Sequence, residues 1–178
     1  MILSNIECKL LLEYLYHNKV TDRQKKYAVR NLTMAVFMLE VGLRLAEVVN
    51  LVVSDLLIAD KPLGVLNVTR GLLPGHRRRT IPLNEKVKSC VVLMNEFWWK
   101  PDTEKPGNYA FYDVSPLKHI TETQFRRIIK TSGEKSINYP VRPNLLRRTC
   151  AARLLEKTDH QTVENLLDYK TDQASFYR

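Results

Sequence analysis

Cysteine is scarce in this 178-residue chain: Cys8, Cys90 and Cys150 are odd in number, widely separated and without metal-ligand spacing. That excludes a disulfide-stapled secreted scaffold and a zinc module, and the three read as reduced thiols of a cytoplasmic protein. Long apolar runs are missing too. None approaches the roughly 20 residues that a membrane span needs, and Met1 to Lys9 lacks the basic stretch and apolar core of a secretory leader. There are only 6 glycines and no repeat or low-complexity stretch, which excludes a repeat array. Length and a hydrophobic content of 44% fit one domain, 1–178, with a core of its own. Acidic side chains are in deficit, 19 against 28 Lys plus Arg. The resulting net charge of +9 favours a polyanionic partner such as nucleic acid through counterion release.

What is present is mostly helical patterning, interrupted once by short strands. Ser4 to Glu7, Thr21 to Gln24 and Thr121 to Gln124 have capping-box form, and each opens a stretch of helical apolar spacing. The first two predict helices over about 5–17 and 22–40, the second closed by Gly42, with Arg44 opening a short third helix. Alternation in 63–69 and 80–83, with Gly71, Pro74 and Gly75 between, predicts an antiparallel hairpin, to which 109–112 adds a third strand. Asn84 caps a helix to about Trp99, whose Val87, Val91, Met94 and Trp98 stripe is read as core rather than as a base-stacking platform. Beyond the Thr121 helix, 133–143 reads as a loop, followed by helices at about 144–157 and 161–168. The fold class is α+β, mainly helical, with a small hairpin or three-stranded sheet.

The basic residues cluster. His76, Arg77, Arg78 and Arg79 form a compact block at the hairpin tip, well shaped to meet a phosphate backbone, and Arg126, Arg127, Lys130, Arg147 and Arg148 recur later. Any one such block is ordinarily a solvated face, and a lone arginine is ordinarily a surface charge.

Three local contexts carry more information than any block. They are Gly42-Leu43-Arg44-Leu45-Ala46-Glu47 running on to Leu51 and Asp55, then Asn144-Leu145-Leu146-Arg147-Arg148-Thr149, then Leu166-Leu167-Asp168-Tyr169 with Tyr177 eight residues further on. In order and spacing they resemble the "TGLRxxEllxLxxxDi", "HxLRHT" and "LLGH" boxes and the terminal tyrosine of the tyrosine recombinase (phage integrase) catalytic domain. The resemblance implies that family's helical core fold and site-specific strand exchange on DNA. In that chemistry Tyr177 forms a 3′-phosphotyrosine while Arg44 and Arg147 bind the scissile phosphate, with Glu47 orienting Arg44. Planar guanidinium forks suit this task, because attack on a phosphodiester builds charge on its non-bridging oxygens. Neither a cofactor nor a metal is implied, and assembly on DNA as a dimer or tetramer is.

The chain departs from the pattern where protons move. The family's histidine is Asn144, which can hydrogen-bond a phosphate but cannot titrate near neutrality. The hairpin, recognisable by its "RxxxPL"-like end, contains no lysine; Arg70 is nearest in position, and a guanidinium is a poor proton donor. The last member of "LLGH" is Tyr169, still able to donate one hydrogen bond. The family's usual N-terminal core-binding module is expected to be absent, and Tyr177, so near the terminus, is expected to stand away from the arginines without DNA. Two alternatives stay open: a catalytically impaired DNA-binding relative, and a type IB topoisomerase-like nicking and closing activity.

Overall fold

Three reciprocal caps organise the helical half of the molecule. The structure, a computed structural model, describes residues 1–17, 21–71, 77–99 and 107–168. Ser4, Thr21 and Thr121 each accept a hydrogen bond from the backbone three residues on, and Glu7, Gln24 and Gln124 reach back to the cap. They start α1 (Asn5–Tyr16), α2 (Asp22–Val36) and α5 (Glu122–Ile137), and α1 packs against both of the others. Leu11, Met34, Phe125 and Ile129 meet in that interface without exposure to solvent. α3 (Leu45–Val49) and α4 (Glu85–Met94) follow α2, and α6 (Pro143–Leu155) and α7 (His160–Leu167) close the described chain.

Helices α2 and α4 each end in a wider turn that the sequence does not announce. α2 passes into a π-helical turn, Phe37–Val41, and Gly42 stops it at φ +68°. A side chain at Gly42 would strike Leu167 and Cys150, so only glycine lets the chain turn beside α7 here. α4 likewise runs into a π turn, Asn95–Trp99. The extra residue in that turn shifts the helical phase, so the stripe Val87, Val91 and Met94 is continued in the core by Trp99. Trp98, predicted to complete the stripe, is only partly covered and stacks at its edge with Tyr27 and Tyr112.

The strands form two separate pairs rather than one three-stranded sheet. β3 (Val65–Val68) and β4 (Arg79–Pro82) are the predicted antiparallel hairpin, with Leu66 opposite Ile81. β1 (Leu57–Ile58) and β2 (Lys61–Pro62) make a second, unpredicted pair. Its turn is carried by Ala59 and Asp60 at positive φ, so the usual glycine signal is missing. Tyr109 to Tyr112, predicted as a third strand, makes only isolated bridges to Val52 and His119. Ala110 and Phe111 are fully buried there, and the Ala110 carbonyl accepts a 2.9 Å hydrogen bond from the Trp99 indole, so the segment threads the core.

Gly133 corrects another boundary. It was placed at the start of a loop, yet α5 continues through it to Ile137 and ends at Asn138 in the left-handed conformation. A Cβ at position 133 would lie 2.5 Å from a Val141 methyl and 2.7 Å from the Tyr139 carbonyl oxygen and the Val141 nitrogen. The glycine therefore marks a close crossing of helix and following chain. All three cysteines are free and buried; burial raises the Cys90 thiol to about 11 and the Cys150 thiol to about 12. Among the described residues no helix is long and apolar enough to cross a membrane.

Gly133→Ala is expected to destabilise the fold by about 1–3 kcal/mol, because the methyl meets the Tyr139 and Val141 backbone as well as a Val141 methyl. Urea unfolding of the two proteins measures this, and an unchanged or raised stability would show that the crossing is not tight.

Candidate active site

Arg44 and Arg147 come from opposite ends of the chain and meet at one buried carboxylate. Arg44 is the N-cap residue of α3, and Glu47, one turn on, accepts the Arg44 backbone N–H at 2.7 Å and its Nη1 at 3.1 Å. Glu47 is 1% exposed. Arg79, the first residue of β4, grips the same carboxylate with both terminal nitrogens, each at 2.8 Å. Arg147, buried on α6, brings Nη1 to 4.0 Å from Glu47 Oε2. Four donors, two from Arg44 and two from Arg79, thus fill the lone pairs of one glutamate, as a charge removed from water requires, and Arg147 adds its charge from further off.

The second anchor is the C-terminal end of α7. Three consecutive carbonyls, left over as a helix ends, each accept from a different arginine. Leu166 O takes Arg79 Nε at 2.8 Å, Leu167 O takes Arg147 Nη2, and Asp168 O takes Arg44 Nη2. Arg147 Nη1 also donates to the carbonyl of Gly42, the residue whose left-handed turn presents it. The negative end of the helix dipole favours cations at this place. Asp168 adds its carboxylate, 3.2 Å from Arg44 Nη1.

Charges this close perturb one another. For Glu47, burial pushes the carboxyl pKa up, but the Arg79 hydrogen bonds and charge, the Arg44 amide and the Arg147 charge outweigh it and hold the group below its ordinary value. Arg147 is pushed down to about 10, first by burial and next by Arg44, while Glu47 pulls the other way. It remains charged at neutral pH.

Beside the cluster lies a pocket of about 300 Å³, lined by Arg44, Arg126, Asn144 and Arg147 over an apolar wall of Met38, Leu45 and Pro143. Three arginines and an asparagine lining a small concave space suit an oxyanion, although Arg126 is itself paired with Glu122 at 2.8 Å.

The predicted site residues fall into three groups. Arg44, Glu47, Asn144 and Arg147 are brought together. Arg70 is not in that pocket; its side chain is half exposed and pairs with Asp55 at 3.6 Å. The strand end that carries it nevertheless rests on α3, because Gly71 at φ +65° packs against the Ala46 carbonyl, where a side chain would collide. Arg77 and Arg78 are exposed as expected of a backbone-facing tip, and Arg148 is half-buried on α6. Arg79, grouped with that tip, is instead turned inward. Strand alternation puts it on the same face as the buried Ile81 and Leu83, and that period was the signal available to find it. His76, Tyr169 and Tyr177 lie outside the described residues, and so does the expected placement of Tyr177. Arg126 was legible only as part of a basic block and Asp168 only as a position in a motif; that Arg126 lines the pocket depends on how α5 packs.

Comparison with known proteins places the sequence and the fold. The model of the phage integrase family matches residues 8–175. Among curated relatives, the tyrosine recombinase XerC of Pseudomonas fluorescens (strain Pf-5) is 28% identical over 138 residues, 74% of this chain and 43% of that one. The tyrosine recombinase XerD of Rickettsia bellii (strain RML369-C) is 29% identical over 178 residues, 94% of this chain and 55% of that one. The chain therefore spans about half the length of the curated relatives it matches. In fold it is similar to the crystal structure of XerA recombinase, with TM-score 0.75 and 22% identity over 99% of this chain and 59% of that one. It is similar also to the site-specific recombinase XerH bound to its difH substrate in a pre-cleavage complex, with TM-score 0.73 and 15% identity over 97% and 48% of the two chains.

Glu47→Gln is expected to lower stability by about 3 kcal/mol or more at pH 7, since three guanidinium groups lose their shared counter-charge. The folded carboxyl pKa lies below the ordinary 4.5, so its contribution is complete above that value and fades as pH falls through the folded one. Urea titrations at several pH values should show the gap between wild type and variant closing in acid. A gap that stays constant down to low pH would rule out the charge as its origin.

Proposed function

The chain belongs to the phage integrase family, and from that premise we propose that it is the catalytic domain, 1–178, of a site-specific DNA recombinase that cleaves and rejoins strands through a 3′-phosphotyrosine. The observation that carries this reading is the convergence of Arg44 and Arg147 on Glu47 at the edge of a pocket of about 300 Å³. A scissile phosphodiester bound there would meet guanidinium donors on its non-bridging oxygens, where charge grows as the phosphorus becomes five-coordinate. Tyr177 Oη attacks the phosphorus, a new O–P bond forms, the P–O5′ bond breaks, and the phenol loses its proton as the departing 5′ oxygen gains one. Attack by a 5′ hydroxyl of the same or another strand reverses the step, so the bond energy is kept and no cofactor is consumed.

Double-stranded DNA is the substrate in this reading. Exposed Arg77 and Arg78, with Arg148, would hold the backbone, and exchange between two duplexes would need further copies of the chain. A cytoplasmic location follows, where the three buried thiols stay reduced.

A second reading, a DNA-binding relative with impaired catalysis, is favoured by one specific observation. The pocket residue at the family's histidine position is Asn144, and Arg70 is turned to Asp55, so neither supplies a group that readily moves a proton.

Covalent capture separates the two. Nicked duplexes from a randomised pool, incubated with the chain and then denatured, are expected to give a protein–DNA adduct that Tyr177→Phe abolishes while binding persists. Salt-sensitive binding without any adduct would leave the binder as the correct account. Asn144→His is expected to raise the rate of adduct formation by on the order of tenfold or more, the scale on which a positioned general acid or base acts. An unchanged rate would mean that proton transfer at this position does not limit the reaction.

A further inference from the structure

Arg44 does not face the pocket unencumbered. Its Nη1 is shared between Glu47 Oε1 at 3.1 Å and Asp168 Oδ2 at 3.2 Å, and its Nη2 is bound by the Asp168 carbonyl. The two carboxylates differ in kind. Glu47 is buried, holds Arg79 as well as Arg44, and belongs to the framework. The Asp168 side chain is 20% exposed, at the rim beside an Arg44 that is 17% exposed. Asp168 also stands in a costly place for an L-residue, with φ +51° at the end of α7, where the resembled motif has glycine. Glycine would satisfy the backbone there without adding any charge.

We propose that Asp168 is an internal stand-in for phosphate, a carboxylate that occupies Arg44 until a DNA phosphodiester displaces it. The inference rests on the recombinase reading and adds a control to it. With Asp168 in place, three arginines face two carboxylates, and the pull on an incoming phosphate is reduced accordingly. Carboxylate and phosphate oxygens make the same charge-assisted bonds to a guanidinium edge, so both cannot hold the same donor at full strength. Asp168 precedes Tyr177 by nine residues, so the exchange of carboxylate for phosphate takes place on the stretch of sequence that leads to the nucleophile. The Asp168 carbonyl bond to Arg44 survives substitution of the side chain, which leaves the arginine positioned.

The test compares wild type with Asp168→Asn and Asp168→Gly in binding a short fluorescent duplex of random sequence, read by anisotropy across a salt series. Both variants are expected to bind about threefold or more tightly at low salt, the scale of one partly exposed ion pair. In an Arg44→Gln background the gain should vanish. Glu156→Gln, which removes an exposed negative charge elsewhere on the surface, controls for net charge. Asp168→Gly relieves the positive φ and supplies a folded variant should Asp168→Asn prove unstable, with thermal unfolding as the check. Equal affinities, a gain matched by Glu156→Gln, or a gain that persists without Arg44 would each overturn the proposal while the recombinase reading stands. Absence of duplex binding by every form would overturn that reading and the proposal with it.

Discussion

A carboxylate sealed from water among three guanidinium groups is the constraint on which the rest of this molecule depends. Alone, the buried charge of Glu47 would be prohibitively unfavourable, and so would that of Arg147; together with Arg44 and Arg79 they satisfy one another. The elements that deliver these four groups are otherwise unrelated: a short helix after a π turn, the first residue of a strand, and a long helix from the other end of the chain. Gly42 and Gly71 are the fitted joints of this arrangement, each at positive φ and each beside backbone or side chains that leave no room for a Cβ. The C-terminal carbonyls of α7 complete it by taking one donor from each arginine.

On the proposed reading, the half of the site that would bind phosphate is robust and the half that would move protons is not. Arginine charge survives burial, as the Arg147 value of about 10 illustrates, and the cluster keeps its donors near the pocket whatever occupies it. Proton transfer instead needs a titratable group at a set place, and at the matching position the chain offers the amide of Asn144. An electrostatic cradle with weak acid–base support binds a phosphodiester more readily than it turns one over.

Much of the fold was legible because local signals and tertiary demands agree. The three capping boxes, the alternation of the β3–β4 hairpin and the inward stripe of α4 as far as Met94 are set by neighbours in sequence. The failures have tertiary causes. Both π turns arise where a helix must reseat one residue against its neighbours, the β1–β2 turn is built from Ala59 and Asp60, and Gly133 serves a helix crossing rather than a helix end. At the site, Arg44, Glu47, Asn144 and Arg147 were singled out by the resemblance of their sequence contexts to the family's motifs. Arg79 was misread because a run of arginines looks like a surface, although its strand phase with Ile81 pointed inward. Asp168 was invisible as a ligand because its role comes from where a helix end meets Arg44.

The central claim is that Glu47 holds the arginines as one unit rather than by separate contacts. A double-mutant cycle between Glu47→Gln and Arg79→Gln, followed by urea unfolding at neutral pH, tests it most directly. The account predicts a strongly non-additive cycle, with a coupling of about 2 kcal/mol or more and a double variant little worse than Glu47→Gln alone. Additive losses would contradict it, since they would mean that the carboxylate and Arg79 stabilise the fold independently.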